Sequence, residues 1–206
     1  MRAIKDHQLE YIKELYYKKA ISALDIAKIL RVSSDAVYSF MRYHNLKRRT
    51  LAEFNRIQYA RQDPTFKLKS KLDTSEKELK AIGTMLYWGE GFQTEKAPGI
   101  DFANSKSEMV QIFLKFLRVV CGVDESRLRV YLYCYSNQNP AQLIAFWSKL
   151  TKIPTKQFTK PYVRKDFDIK KIDKMKYGLI HIRYHDKKLL NQTRLWIKEY
   201  YSKFSE

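Results

Sequence analysis

Two short segments of the C-terminal half alternate between apolar and polar side chains, and this alternation constrains the fold most strongly. One segment places Leu128, Val130, Leu132 and Cys134 between Arg129, Tyr131, Tyr133 and Tyr135; the other places Ile180 and Ile182 between His181, Arg183 and His185. Successive side chains of a β-strand point to opposite faces of a sheet. Each segment therefore predicts a strand with one face in the core and a basic, aromatic face outward.

Helical periodicity surrounds these strands and predicts an α+β domain. We expect short strands near 91–94, 99–103 and 157–165, and helices over 105–121, from Asn139-Pro140 onward, and over 186–202. The inward residues predicted for the first and last of these helices include Ile112 and Leu195. Cys121 and Cys134 belong to no CxxC pair, so we expect buried, reduced thiols.

The N-terminal half predicts three short helices. The first spans His7–Lys19, and the second follows Ser22 as a helix cap, with Leu24, Ala27, Ile29 and Leu30 expected to face inward. The third is capped by Ser33 or Ser34, buries Val37, Phe40 and Met41, and stops at Asn45 in a left-handed conformation.

The second and third helices, joined by a tight turn, resemble a helix-turn-helix, with small Ala27 at the crossing and apolar Val32 in the turn. Arg31 departs from that pattern, because glycine is common there. The resemblance implies that the third helix enters a DNA major groove. Its outward residues, the predicted DNA contacts, are Ser34, Asp35, Tyr38, Ser39 and Arg42. A structural three-helix module is the alternative.

The charge of the chain favours a polyanionic partner. Lys and Arg number 40 against 22 Asp and Glu, which gives a net charge of +18. Such a field attracts nucleic acid. A basic run includes Lys47, Arg48, Arg49, Arg56, Arg61, Lys67, Lys69 and Lys71, with a helix expected over about 50–61 and a break at Asp63-Pro64. This run is predicted to lie along DNA phosphates or to be a solvated linker.

Membrane and secreted classes are not expected. The sequence has no run near the ~18 apolar residues of a membrane span, and its N-terminus lacks the apolar centre of a signal peptide. We therefore expect an intracellular protein of the cytoplasm or nucleoid, without a membrane partner.

The stretch Gly83–Gly91 predicts a helix end that carries one carboxylate. Thr74 or Ser75 is predicted to form a capping box with Glu78, and helical spacing continues to Trp88. Gly83 allows another helix to come close. Glu90 stands between two glycines that would free the turn, beside the negative helix end, where a carboxylate is disfavoured unless a metal or a cation is near.

The Gly89-Glu90-Gly91 ending resembles that of the LAGLIDADG family of homing endonucleases. The resemblance covers about residues 74–200 and implies a helix-and-antiparallel-sheet domain in which Glu90 binds Mg²⁺. With one motif in the chain, it also implies a homodimer through the 76–88 helix, since strand cleavage uses two such acids. The predicted dimer residues are Ala81, Gly83 and Tyr87. Tyr87 and Trp88 are bulkier than usual at this helix end, and the helix after Asn139 is not part of the minimal repeat.

These observations predict three segments: a helix-turn-helix domain at 1–49, a basic linker or helix at 50–73, and a LAGLIDADG-like domain at 74–206. The outward strand residues would contact double-stranded DNA in the major groove, although a ligand-binding sheet or a solvated face is also open. That predicted set comprises Arg129, Tyr131, Tyr133, Tyr135, Lys160, His181, Arg183 and His185.

Two functions follow from the resemblance. The first is a homodimeric, Mg²⁺-dependent, site-specific DNA endonuclease, in which Glu90 binds the metal and Lys160 or Arg183 steadies the scissile phosphate. The second is a transcriptional regulator that binds DNA without cleaving it, as in WhiA-like proteins that keep the fold.

Overall fold

The computed structural model of the protein describes residues 3–165 and 175–205. Within it the chain divides into two compact units, Met1–Asp63 and Pro64–Glu206. The predicted linker segment 50–73 is shared between them, because residues 50–63 belong to the first unit and residues 64–73 to the second.

The first unit is helical. Its helices are α1 (Leu9–Lys13, continued by a π-helical turn at Glu14–Lys18), α2 (Ala23–Leu30), α3 (Ser34–Tyr43) and α4 (Leu51–Arg61). The predicted caps are confirmed: the Ser22 side chain accepts from the backbone N–H of Asp25, and the Ser33 side chain accepts from that of Ala36. Asn45 has φ of +52°, which confirms the predicted left-handed stop.

The core of this unit lies between α1, α2 and α3. Ala27, Val37, Phe40 and Met41 are buried as predicted. The predicted inward positions Leu24 and Ile29 are wrong, since they are 58% and 48% exposed. Helix α2 instead turns Ala23, Ile26 and Ala27 inward, which keeps the i, i+3, i+4 spacing of one helix face. Arg31 ends α2 at φ of +54°, a left-handed position where glycine is usual and other residues cost about 1 kcal/mol.

The second unit combines helices with a four-stranded sheet. Its helices are α5 (Thr74–Glu90), α6 (Ser107–Val119), α7 (Pro140–Thr151) and α8 (Lys187–Phe204), and its strands are β1 (Ile100–Asn104), β2 (Arg129–Tyr135), β3 (Tyr162–Arg164) and β4 (Leu179–Tyr184). The strand order is β1-β4-β2-β3. An α+β fold is therefore observed, with a helical unit before it.

The sheet is mixed, so the prediction of an antiparallel sheet is wrong for one strand pair. Strand β4 is antiparallel to β1 and β2, whereas β3 is parallel to β2. The physical reason is α7, which lies between β2 and β3 in the chain and forms the crossover that parallel neighbours need. The strand expected near 91–94 is reduced to one bridge between Gly91 and Phe102.

One face of the sheet forms the core with the helices. The apolar residues of the two alternating segments are buried as predicted. Phe113 of α6 stacks on Phe102 of β1 with 4.1 Å between ring centroids, and on Tyr87 of α5 at 5.9 Å. Ile112 and Leu195 are 39% and 54% exposed, so their predicted inward positions are wrong. Cys121 and Cys134 are buried free thiols, as expected.

Helix α5 packs closely on α6 through Gly83. A Cβ atom at this position would overlap the ring of Phe116, so the predicted role of Gly83 in close helix approach is confirmed within one chain. Gly83 and Tyr87 are buried in their own unit. The prediction that they contact a second copy is therefore wrong, because their surfaces are already covered; Ala81 is half-buried.

The start of α5 differs from its prediction by one residue. Asp73 is the cap: its side chain accepts from the backbone N–H of Glu76, and the Glu76 side chain reciprocates at Asp73. The predicted box of Thr74 or Ser75 with Glu78 is wrong, since a carboxylate at residue 73 satisfies the first N–H groups.

The first residues of the second unit are anchored to its core. The backbone N–H of Lys67 donates to the carbonyl of Gly122 at 2.9 Å, and Thr65 donates from both its backbone and its side chain to the carboxylate of Asp186. Lys67, Lys69 and Lys71 are exposed on this anchored segment. Within the described residues, no helix has the length and apolarity to cross a membrane.

We predict that Gly83→Ala destabilises the second unit, whereas Gly89→Ala does not. The added methyl group at residue 83 overlaps Phe116, and such overpacking costs about 1–3 kcal/mol. At residue 89 an added Cβ would meet no heavy atom within 4 Å beyond its chain neighbours and the helix's own backbone, so the variant gains about 0.5–1 kcal/mol of helix propensity. Urea denaturation of both variants measures the difference, and equal stabilities would contradict the close contact.

Candidate nucleic-acid interface

The second face of the sheet gathers polar and aromatic side chains from all four strands. We call it the polar face; its members are Asp101, Ala103, Arg129, Tyr131, Tyr133, Tyr162, His181 and Arg183. The strand register sets them side by side: Arg129 lies opposite Arg183, Tyr131 opposite His181, and Tyr133 opposite Tyr162. These residues are half-buried or exposed.

Rings and cations of the polar face contact one another. The Arg183 guanidinium lies 5.0 Å from the centroid of the Tyr131 ring. The ring of Tyr133 lies 5.1 Å from that of His181 and 5.3 Å from that of Tyr162. Aromatic pairs and cation–π contacts of this kind hold the rings and the guanidinium against one another.

Asp101 is the central acceptor of the polar face. One carboxylate oxygen lies 2.7 Å from Nδ1 of His181, and the other accepts from Nε of Arg183 at 2.8 Å. The register places Arg129 opposite Arg183, and like charges at such positions are unfavourable. The Arg183 guanidinium is paired with Asp101, whereas that of Arg129 donates to the carbonyls of Ser126 and Leu128.

The same contacts keep Asp101 ionised. Burial alone would raise the pKa of this carboxyl group, because it disfavours the charged form. The hydrogen bond and charge of His181, with the charge of Arg183, outweigh burial and hold the pKa of Asp101 below its ordinary value.

Glu90 is the last residue of α5, and the chain beyond it is tied to β1. The backbone N–H of Gly91 donates to the carbonyl of Tyr87 at 2.8 Å, and that of Phe92 donates to the carbonyl of Asp101 at 2.8 Å. The Tyr87 hydroxyl donates to the carbonyl of Phe92 at 2.9 Å. The end of α5 is therefore fixed beside the strand that carries Asp101.

The two glycines around Glu90 do not serve the predicted turn. Gly89 lies inside the helix, and Gly91 has φ of −87°, which any residue can adopt. Glycine is required at residue 91 for a steric reason instead, since an added Cβ would overlap the carbonyl and the ring of Tyr87. Glycine at 91 thus lets the chain leave α5 directly over a buried aromatic residue.

Glu90 and the polar face share an open cleft of about 460 Å³. We call it the carboxylate cleft; it is lined by Gly89, Glu90, Gly91, Phe92, Asp101, Ala103, Tyr133, His181 and Arg183. Glu90 is exposed, and within residues 3–165 and 175–205 its carboxylate has no hydrogen-bond or ion-pair partner. The chain therefore places one free and one engaged carboxylate in the same cleft.

The carboxylate cleft provides few metal ligands in a single chain. Among the described residues, no three His, Cys, Asp or Glu side chains are grouped to hold a metal ion. Mg²⁺ nevertheless binds through one or two carboxylates together with water and substrate phosphates. The free carboxylate of Glu90 fits that requirement, whereas Asp101 is occupied by His181 and Arg183.

No family model, curated protein or solved structure matches the chain. The case for a function therefore depends on the chemistry of the polar face and of the carboxylate cleft.

Only two of the three predicted catalytic residues come together. Glu90 and Arg183 line the carboxylate cleft, but Lys160 does not. Lys160 comes shortly after Phe158, which pairs with β2 along the edge opposite to β4. Lys160 is exposed there. Arg183, moreover, is already paired with Asp101.

Most predicted DNA contacts of the sheet lie on the polar face. Arg129, Tyr131, Tyr133, His181 and Arg183 do so, and His185 is exposed just beyond β4. Tyr135 is only 8% exposed, so its predicted contact with DNA is wrong. It lies at the end of β2, where β3 runs alongside and the Arg164 guanidinium lies 6.0 Å from its ring.

The predicted DNA contacts of the first unit differ in their exposure to solvent. Asp35, Ser39 and Arg42 are exposed on α3, as are Lys47 and Arg48 beyond it, while Ser34 and Tyr38 are half-buried. Arg48 lies over the ring of Tyr38 at 4.2 Å.

The guanidinium of Arg49, a predicted DNA contact, is engaged within its own unit. Its guanidinium donates to the carbonyls of Tyr16, Ala20 and Ile21 and lies 4.0 Å from the centroid of the Tyr16 ring. These carbonyls lie at the end of the first helical segment, where a cation is favourable. The residue therefore holds the unit together.

Asp101 was not among the predicted site residues. Its alternation with Ile100 and Phe102 shows that it points away from the core, but nothing in the sequence indicates partners 80 and 82 residues further along.

We predict that Asp101→Asn removes acid-sensitive stability. Loss of the charge weakens two hydrogen bonds and costs about 1–3 kcal/mol at neutral pH. Because the folded-state pKa of Asp101 is lowered, this contribution is present above the ordinary aspartate pKa of about 4 and is lost as pH falls through the folded value. Urea denaturation of both proteins from pH 7 to pH 3 measures the difference between their free energies of unfolding. A difference that is independent of pH would contradict the ionised pair.

Proposed function

We propose that the protein binds double-stranded DNA through the polar face of the sheet. The observation that carries the proposal is the juxtaposition of this face with Glu90 in one open cleft. Arg, Tyr and His side chains reach phosphates and base edges, and a sheet surface fits a major groove. The net charge of +18 supplies long-range attraction.

The first unit is proposed as a second DNA-binding module. Helix α3 exposes Asp35, Ser39 and Arg42 on the side away from its buried residues. This pattern suits a recognition helix of a helix-turn-helix. A second module would lengthen the site that is read.

We further propose that a homodimer cleaves DNA with Mg²⁺ at Glu90. Helix α5 exposes Ile82, Met85 and Trp88 at 49%, 37% and 45%, a stripe opposite the buried residues of the same helix. Packing two such stripes would bury apolar surface and bring two Glu90 carboxylates together. When bound, Mg²⁺ neutralises charge on the phosphate and generates a nucleophile from water.

A non-cleaving DNA-binding regulator is the second candidate. Arg183, a cation lining the carboxylate cleft, is paired with Asp101, and Lys160 lies elsewhere. Because its charge is already compensated by Asp101, Arg183 would stabilise the charge of a scissile phosphate less strongly. This observation favours binding without cleavage.

We predict that Arg129→Ala weakens DNA binding more than Lys115→Ala. Both changes remove one positive charge, but Arg129 lies on the polar face, whereas Lys115 is exposed on α6, whose buried residues cover the other face. Loss of one direct phosphate contact raises Kd by about fivefold and lowers the slope of log K against log salt by about one. Fluorescence anisotropy with a labelled duplex measures both, and equal effects of the two variants would contradict the assignment.

We predict that Glu90→Gln abolishes Mg²⁺-dependent cleavage but preserves binding. The amide cannot replace the carboxylate as a metal ligand, so cleavage of a random-site plasmid pool should slow by at least about 100-fold. Glu95→Gln, an exposed acid of the following loop, is the matched control.

The result separates the two candidates. Equal cleavage by wild type and Glu90→Gln would remove Glu90 from the reaction. Binding of DNA without cleavage by either protein would favour the regulator.

A further inference from the structure

The pair of Asp101 and His181 has a use beyond charge balance. Because an ionised carboxylate only accepts hydrogen bonds, the 2.7 Å contact places the hydrogen on Nδ1 of His181. The other ring nitrogen, Nε2, then carries a lone pair. His181 lines the carboxylate cleft, so Nε2 is the nitrogen left for a group that enters it.

The position of this imidazole is fixed on several sides. Its side chain is 18% exposed, and the rings of Tyr131 and Tyr133 lie 6.2 and 5.1 Å away on the neighbouring strand. The second oxygen of Asp101 accepts from Arg183, which holds the carboxylate in place. An imidazole that is oriented by a carboxylate at Nδ1, and whose Nε2 has no hydrogen-bond partner among the described residues, is the arrangement of a general base.

We propose that His181, positioned by Asp101, is the general base for hydrolysis of a DNA phosphodiester in the carboxylate cleft. The inference rests on the proposed function. Nε2 takes a proton from water as the water oxygen forms a bond to phosphorus. The bond from phosphorus to the leaving ester oxygen breaks, that oxygen keeps the electron pair and takes a proton from solvent, and the imidazolium returns its proton to solvent.

The charges around His181 support this role. Asp101 stabilises the imidazolium that forms, and Arg183 opposes it from the same strand. Tyr131 and Tyr133 face the ring from β2, and the carboxylate of Glu90, the proposed Mg²⁺ ligand, lines the same cleft from the end of α5. Asp101 is a positioning residue, because it acts through the histidine.

The first test needs no cleavage. Nitrogen-15 NMR of the full chain reports the tautomer of each of its four histidines, and His181→Ala assigns the signal. We expect His181 in its neutral form to carry hydrogen on Nδ1, and Asp101→Asn to shift the tautomer towards Nε2. Asp6→Asn, which changes the carboxylate beside His44, is the matched control and should leave the His181 signal unchanged. Hydrogen on Nε2 in the wild-type protein would overturn the proposal.

The second test measures single-turnover cleavage at saturating DNA, which separates chemistry from binding. His181→Ala should slow the step by about 10²–10⁴-fold and remove the loss of rate on the acid side of the pH profile. Asp101→Asn should slow it as well, while exposed His7→Ala should match wild type.

The outcomes distinguish the two proposals. Cleavage by His181→Ala at the wild-type rate would overturn the general base and leave the nuclease standing. Absence of cleavage by the wild-type protein would overturn the nuclease and the general base together. DNA binding by the polar face is tested separately, by the effect of Arg129→Ala on Kd.

Discussion

The close contact of α5 with α6 at Gly83 determines where Glu90 lies. Without a Cβ at residue 83, α5 rests directly on the ring of Phe116, and Tyr87 enters the core beside Phe113. Tyr87 then bonds the carbonyl of Phe92, and the N–H of Phe92 bonds β1 next to Phe102. A side chain at residue 83 would lift the helix, and the carboxylate at its end would move away from the strand that carries Asp101.

The same packing leaves the sheet covered by helices on one face and polar on the other. Apolar residues at alternating positions require cover, and α5, α6, α7 and α8 all contribute buried residues to that core. On the polar face, Asp101 of β1 pairs with Arg183 of β4 and orients His181. The charge balance of the polar face and the orientation of His181 therefore depend on one carboxylate.

Local patterns predicted much of the fold. Helix caps at Ser22 and Ser33, the stop at Asn45 and the alternation of β2 and β4 depend on neighbours in the chain, so the sequence contains them. Properties set by distant neighbours were not predictable. The pairing of Asp101, the capture of Arg49, the burial of Tyr135 and the parallel β3 depend on which elements meet in space. Glu90 and Arg183 were predicted as site residues and do line the carboxylate cleft. The position of Lys160 outside this cleft depends on strand order, which the sequence does not reveal.

Hydrogen exchange with and without a DNA duplex tests the role of the polar face most directly. Bound DNA should slow amide exchange in β2, in β4 and at the end of α5 near Phe92, and should leave α6 and α7 unchanged, because they lie over the core or beside it. Protection confined to Ser34–Tyr43, with the whole sheet and the end of α5 unchanged, would contradict DNA binding by the polar face.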